Sequence, residues 1–166
     1  MLDMNQLEFG IKLAFGIGED GGDSDEVAVE LADAIVKYGS KADILLLPGP
    51  ILIPGAPPVP SSANGAKATV QSAESGRATL ESGLKAQFEA GDPTMMLMSM
   101  AIMTYVNTSF FAFKASAGHM ATGMTVMAAP PDFTPVKNAG LAGESSDFCA
   151  MMMAGIIHFA FQTSIF

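Results

Sequence analysis

Leu7-Glu8-Phe9-Gly10-Ile11-Lys12-Leu13-Ala14-Phe15 lines up with Leu80-Glu81-Ser82-Gly83-Leu84-Lys85-Ala86-Gln87-Phe88, with five identities in nine positions and Ile11 exchanged for Leu84. A repeat of this kind constrains the whole architecture, because each copy is one supersecondary unit that buries its apolar face against the other. Working outward, Ala34-Ile35-Val36-Lys37-Tyr38 matches Ala101-Ile102-Met103-Thr104-Tyr105. Each match is followed by an apolar run, Ile44 to Leu47 and Phe110 to Phe113. The first pair is offset by 73 residues and the second by 67, so the first copy holds extra residues, which fit in the loop from Gly16 to Asp25.

Local signals sharpen the units. Asp23, Ser24 and Asp25 precede Val27, Leu31, Ala34, Ile35 and Tyr38, a helical face that Gly39 is placed to close. Leu80, Leu84 and Phe88 recur every four residues, Gly91 ends that helix, and Asp92 with Pro93 opens the next. Leu7, Phe9, Ile11, Leu13 and Phe15 alternate as in a strand, but the helical copy at 80–88 makes this segment a helix too. A fainter echo, Gly155-Ile156-Ile157-His158-Phe159, leads into the terminal Phe161 to Phe166. The expected fold is therefore α+β: a duplicated helix–helix–strand unit at 4–47 and 77–114 about an approximate two-fold, with a helix–strand tail at 146–166, all in one domain, 1–166. Tyr38 and Tyr105 are expected at equivalent helix ends with their rings turned inward.

Two Pro/Gly-rich excursions, 48–68 and 128–143, interrupt these units. The first opens with six prolines in the thirteen residues Pro48 to Pro60, which specifies extended chain.

Composition bounds the function. The 166 residues are 49% apolar and 15% charged with a net charge of −9, so a grip on phosphate backbones or anionic lipid is disfavoured and nucleic acid is not expected as a partner. One cysteine, Cys149, supports neither a disulfide framework nor a metal cluster. The acidic start MLDMNQLEFG lacks the basic n-region of a signal peptide, so a cytoplasmic location is expected unless the chain is built into a particle. Thirteen methionines with no tryptophan, and a mean hydropathy of +0.36, leave an apolar surplus for an oligomer interface, a partner or a bilayer to cover. The uncharged run Met95 to Phe113 reaches only the lower bound for a membrane span, and Glu30, Asp33 and Lys37 interrupt the matching helix of the first copy, so a span is not expected.

Candidate chemistry is sparse. Gly16 to Gly21 has the spelling G-x-G-x-x-G, but Glu19 and Asp20 stand where a pyrophosphate would lie, and the acids from Asp20 onward miss the third and twelfth positions of a calcium loop. Cys149, His119 and His158 could in principle supply a nucleophile and base, but no acid orients His119 and Cys149 precedes an apolar run. No cofactor, metal or catalytic residue is expected, and the chain reads as a non-enzyme. Met95, Met96, Met98, Met100 and Met103 on one helix and Met151 to Met153 on another read as core or subunit interface, or alternatively as an adaptable surface for apolar peptides.

Helices ending in Ala-Ile-x-x-Tyr, short apolar strands, Pro/Gly tracts and the absence of a catalytic constellation in a small acidic chain resemble the minor virion structural proteins of tailed bacteriophages, myoviruses especially. The resemblance implies a non-enzymatic subunit of a head, neck, tail or baseplate, assembling with itself and with other particle proteins, and carries over no catalytic residue. The expected contacts between subunits are Pro48, Pro50, Ile51, Ile53, Pro57 and Pro58 of the first tract and Pro130, Pro131 and Phe133 of the second. The alternative from a different class is a soluble Met-lined binding module or chaperone for apolar peptides.

Overall fold

A computed structural model describes residues 2–42, 74–91, 94–108 and 127–164 in full, and the backbone alone of the extended segments 43–45, 50–51, 59–60, 67–72, 110–115 and 120–124. Six helices make the body: α1 (Met4–Glu19), α2 (Ser24–Gly39), α3 (Arg77–Ala90), α4 (Met96–Thr108), α5 (Thr134–Leu141) and α6 (Ser146–Gln162). Among the fully described residues the body is all helical, which overturns the α+β class. The reason lies in the core: its buried members sit on the six helices, apart from Met127 and Phe133 in the approach to α5. Among the described residues helix therefore packs on helix, and extended backbone lies in the connections. There Asp43–Leu45, Lys67–Ser72, Phe110–Ala115 and Met120–Met124 pair antiparallel in that order.

The helices begin where the sequence caps them. The Asp3 carboxylate accepts from the backbone N–H groups of Asn5 and Gln6 at 3.1 and 3.3 Å, and Asp23 accepts from Glu26 N–H at 2.9 Å. Gly91 closes α3 in the left-handed conformation at φ 56°. The N-terminus of α4 is met by a buried side chain, Gln87, whose Oε1 accepts from Met98 N–H at 3.1 Å.

α1 with α2 and α3 with α4 form two hairpins that match residue for residue. Leu7 and Leu80, Ile11 and Leu84, Ile35 and Ile102, and Tyr38 and Tyr105 are all fully buried at corresponding places. Gly10 and Gly83 each lie against an alanine of the second helix, Ala34 and Ala101.

The chain holds a third hairpin as well. The tail is not helix–strand: α6 runs unbroken to Gln162 and packs on α5, within the segment expected to be an extended excursion. At an offset of 122 this hairpin repeats the first. Ile11 corresponds to Phe133, Ala14 to Val136, Leu31 to Met153 and Ile35 to Ile157, all buried. The turns are the same: Gly21 and Gly143 have φ of 85° and 82°, and the N–H groups of Gly22 and Glu144 both return to the carbonyl five residues earlier. The two-fold reading is thus replaced by three related hairpins, which pack side by side in the order α4, α3, α2, α1, α6, α5. Both joints between hairpins in this order carry the same ion pair. Lys85 Nζ lies 2.6 Å from Asp25 in the first turn of α2, and its copy Lys12 lies 3.5 Å from Asp147 in the first turn of α6.

Candidate functional site

Hairpin three differs from hairpin one in the length of its first helix, and this difference opens a cleft. α1 spans sixteen residues, whereas α5 spans eight, because Pro130 and Pro131 hold the preceding chain extended and helix starts only at Thr134, with Pro135 in its first turn. The later turns of α6 thus face a non-helical strap, Met127 to Phe133, where α2 faces helix. Two groups fix the strap. Asn107 clamps its start, accepting from Met127 N–H at 2.6 Å and donating to Met127 O at 3.4 Å, and the 1% exposed ring of Phe133 anchors its end. Asp132 accepts from Thr134 N–H at 2.9 Å, and hydrogen bonding to Thr134 holds its carboxyl below the ordinary range.

Between strap and helix lies a cleft of about 590 Å³ lined mainly by Met127, Pro130, Pro131, Met152, Ile156 and Phe159, with Asp132 and Thr163 as its polar members. α6 is built to carry it. Ser145 Oγ caps its start by accepting from Phe148 N–H at 3.2 Å, and the Thr163 and Ser164 hydroxyls donate to carbonyls of its last turn. Ala150, Met153, Ala154, Ile157 and Ala160 turn inward, while Phe148, Met151 and Phe159 face out, with Phe159 67% exposed beside the cleft.

The expected contact residues divide accordingly. Pro130, exposed, and Pro131, buried, line the cleft. Phe133 does not belong to a surface: it occupies the core place that Ile11 fills in the first hairpin. Pro50 and Ile51 pair with Pro60 and Val59 through the backbone, and Pro48, Ile53, Pro57 and Pro58 lie outside the described residues. Of the methionines, Met98 and Met153 are core, whereas Met96, Met100 and Met151 are exposed.

Nucleophilic chemistry finds no geometry among the described residues. Cys149 and His158 lie on one helix nine residues, or about 13 Å, apart. His158 Nδ1 is instead 2.5 Å from the hydroxyl of Tyr38, whose ring also meets Phe161 edge-on at 5.3 Å. Burial raises the Tyr38 phenol above its ordinary pKa, so the phenol keeps its proton at neutral pH. His119 lies outside the described residues. No group of three or more His, Cys, Asp or Glu among the described residues is placed to hold a metal ion, and no described helix is long and apolar enough to cross a membrane.

No protein family matches the chain, and no curated protein or solved structure matches it either.

Proposed function

We propose that this protein is a non-enzymatic structural subunit of a larger assembly. The observation that carries the reading is apolar area left on the outside of the described helices. Leu141, Phe159 and Phe9 are 77%, 67% and 63% exposed, and Leu13, Met96, Met100, Phe148 and Met151 add to them. Single exposed apolar residues are ordinary, but a cleft with an exposed aromatic at its rim is the kind of surface that partners cover. A net charge of −9 keeps free subunits apart until apolar complementarity or a basic partner overcomes it. A tailed-phage virion is the setting proposed for the assembly, and it is supported by the layout of the sequence alone.

The test is mass in solution and in company. The full chain, alone and mixed with candidate particle proteins, is expected to form oligomers or enter a complex, and deleting Ile51 to Val59 is expected to weaken that assembly while leaving the helical signal. A stable monomer that enters no complex overturns the reading. The exposed Met96, Met100 and Met151 support a second reading, an adaptable surface for apolar peptides, which a monomer that binds such peptides reversibly would favour.

A further inference from the structure

The turn end of the bundle is acidic. Residues 19–26 hold five acids, residues 144–147 hold two, and neither segment holds a cation. Four of the seven serve the fold. Asp23 caps α2, Glu26 stands in its first turn, Asp25 beside it is met by Lys85 at 2.6 Å, and Asp147 in the first turn of α6 lies 3.5 Å from Lys12. Glu19 and Glu144 have no such role: neither is in an ion pair among the described residues. Glu19 moreover ends α1, where the helix dipole disfavours an anion and no basic residue stands in the last turn to offset it. Both acids edge a cleft of about 530 Å³ where the turn ends of the three hairpins meet. Phe15 and Val27 line it from the first hairpin, Phe88 from the second and Cys149 from the third, and all four pack against or belong to the core. The floor is apolar and the rim is acidic.

We propose that this cleft receives a basic segment of a partner protein, with an apolar or aromatic side chain on the floor between Phe15 and Phe88 and lysine or arginine groups at Glu19 and Glu144. Charge complementarity selects the occupant. The cleft offers two carboxylates that the chain leaves unpaired, and no cation of its own lines it. A metal ion is the wrong cation, because no three acids among the described residues converge on one point. Charge spread along a rim suits side-chain cations carried by one segment, whose apolar stems and anchor cover the floor. A second copy is the wrong protein, because a net charge of −9 sets copies against each other and draws a basic surface in.

The proposal rests on the assembly reading and names the chemistry of the partner, yet the two fail separately. The probe is the peptide Lys-Lys-Trp-Lys-Lys. The chain has no tryptophan, so the emission of the peptide reports its own burial. Titration with the full chain is expected to shift that emission to the blue and to saturate. Bound peptide is expected to slow alkylation by iodoacetamide of Cys149, the one cysteine, which places it in this cleft. The double variant Glu19→Gln, Glu144→Gln is expected to weaken binding by about tenfold with unchanged far-UV circular dichroism, and added salt to weaken it in the wild type. The neutral peptide Ser-Ser-Trp-Ser-Ser is expected to bind weakly by comparison. Absence of a saturable shift, equal binding by the double variant or of the neutral peptide, or binding that leaves Cys149 unprotected each overturns the proposal. Assembly with particle proteins that the double variant leaves unchanged also overturns it, while the assembly reading survives. A monomer that binds the basic peptide in this cleft but enters no complex upholds the site and overturns the assembly reading.

Discussion

Gly10 faces Ala34 so closely that a Cβ built on the glycine would stand 2.5 Å from the alanine Cβ, and Gly83 repeats the relationship with Ala101 at the same 2.5 Å. Contact this short brings two backbones together, and any added methyl must push a helix rather than a flexible side-chain end. Gly10→Ala and Gly83→Ala are each expected to cost about 1–3 kcal/mol in denaturant unfolding, the range for overpacking a filled site. Pairing Gly10→Ala with Ala34→Gly should recover part of the loss, whereas independent additive losses would show that the two positions do not touch.

Alkaline pH is expected to unfold the protein through its tyrosines. Burial raises both Tyr38 and Tyr105 above the ordinary phenol pKa of 10.0. The folded state then holds its phenolic protons more tightly than the unfolded chain. That stability is complete below about pH 10, the unfolded value, and is lost as pH rises toward the folded values. The chain has two tyrosines and no tryptophan, so phenolate absorbance reads these two rings directly. Ionisation should coincide with the loss of helical signal, and ordinary titration of either ring in the folded protein would place it at the surface. Tyr105→Ala should cost about 3–5 kcal/mol, as other buried aromatic truncations do.

Asn107 satisfies both backbone groups of Met127 at the start of the strap. Asn107→Leu leaves those groups without their amide partner and is expected to destabilise the fold by about 1–3 kcal/mol. Hydrogen exchange should rise first at the strap. Uniform exchange over the molecule would show that the clamp does not hold the cleft wall.

The methionines should separate under mild peroxide. Met96 and Met100, 54% and 43% exposed, should oxidise well before Met98 and Met153, which are 1% exposed and protected until unfolding. Mass spectrometry of digests reads each site. Equal rates would contradict the division between core and surface.

The sequence revealed the first two hairpins because their matching residues form an unbroken run, Leu7 to Phe15 against Leu80 to Phe88, and because the glycines and the Ala-Ile-x-x-Tyr ends are constrained by packing. The third hairpin was hidden for a physical reason. Its identities with the first, Gly18, Gly21, Ser24, Asp25, Ala28, Ala32 and Ile35 against Gly140, Gly143, Ser146, Asp147, Ala150, Ala154 and Ile157, are scattered at turn and helix-interior spacing. The outer positions between them change from charged to apolar. Pro130, Pro131 and Pro135 read as a loop, yet Pro135 sits in the first turn of α5, where its missing N–H costs nothing. Phe133 stands among prolines and so reads as a contact in the sequence, and only its equivalence to Ile11 marks it as core. The cleft follows from the shortness of α5, a boundary that depends on what the strap packs against and so is weakly written in local sequence.

The packing order also dictates when this protein can be completed on the ribosome. α1 lies between α2, its neighbour in the chain, and α6, the last of the described helices to be synthesised. Emerging at about 5–20 residues per second, the nascent chain can close its first two hairpins early, but one flank of α1 stays uncovered until α6 has left the exit tunnel. The closure of that flank joins helices far apart in the chain, so the docking of α6 is a long-range event. A chain stalled before Ser146 would expose this flank to chaperones and to aggregation, even though two of its three hairpins were already formed.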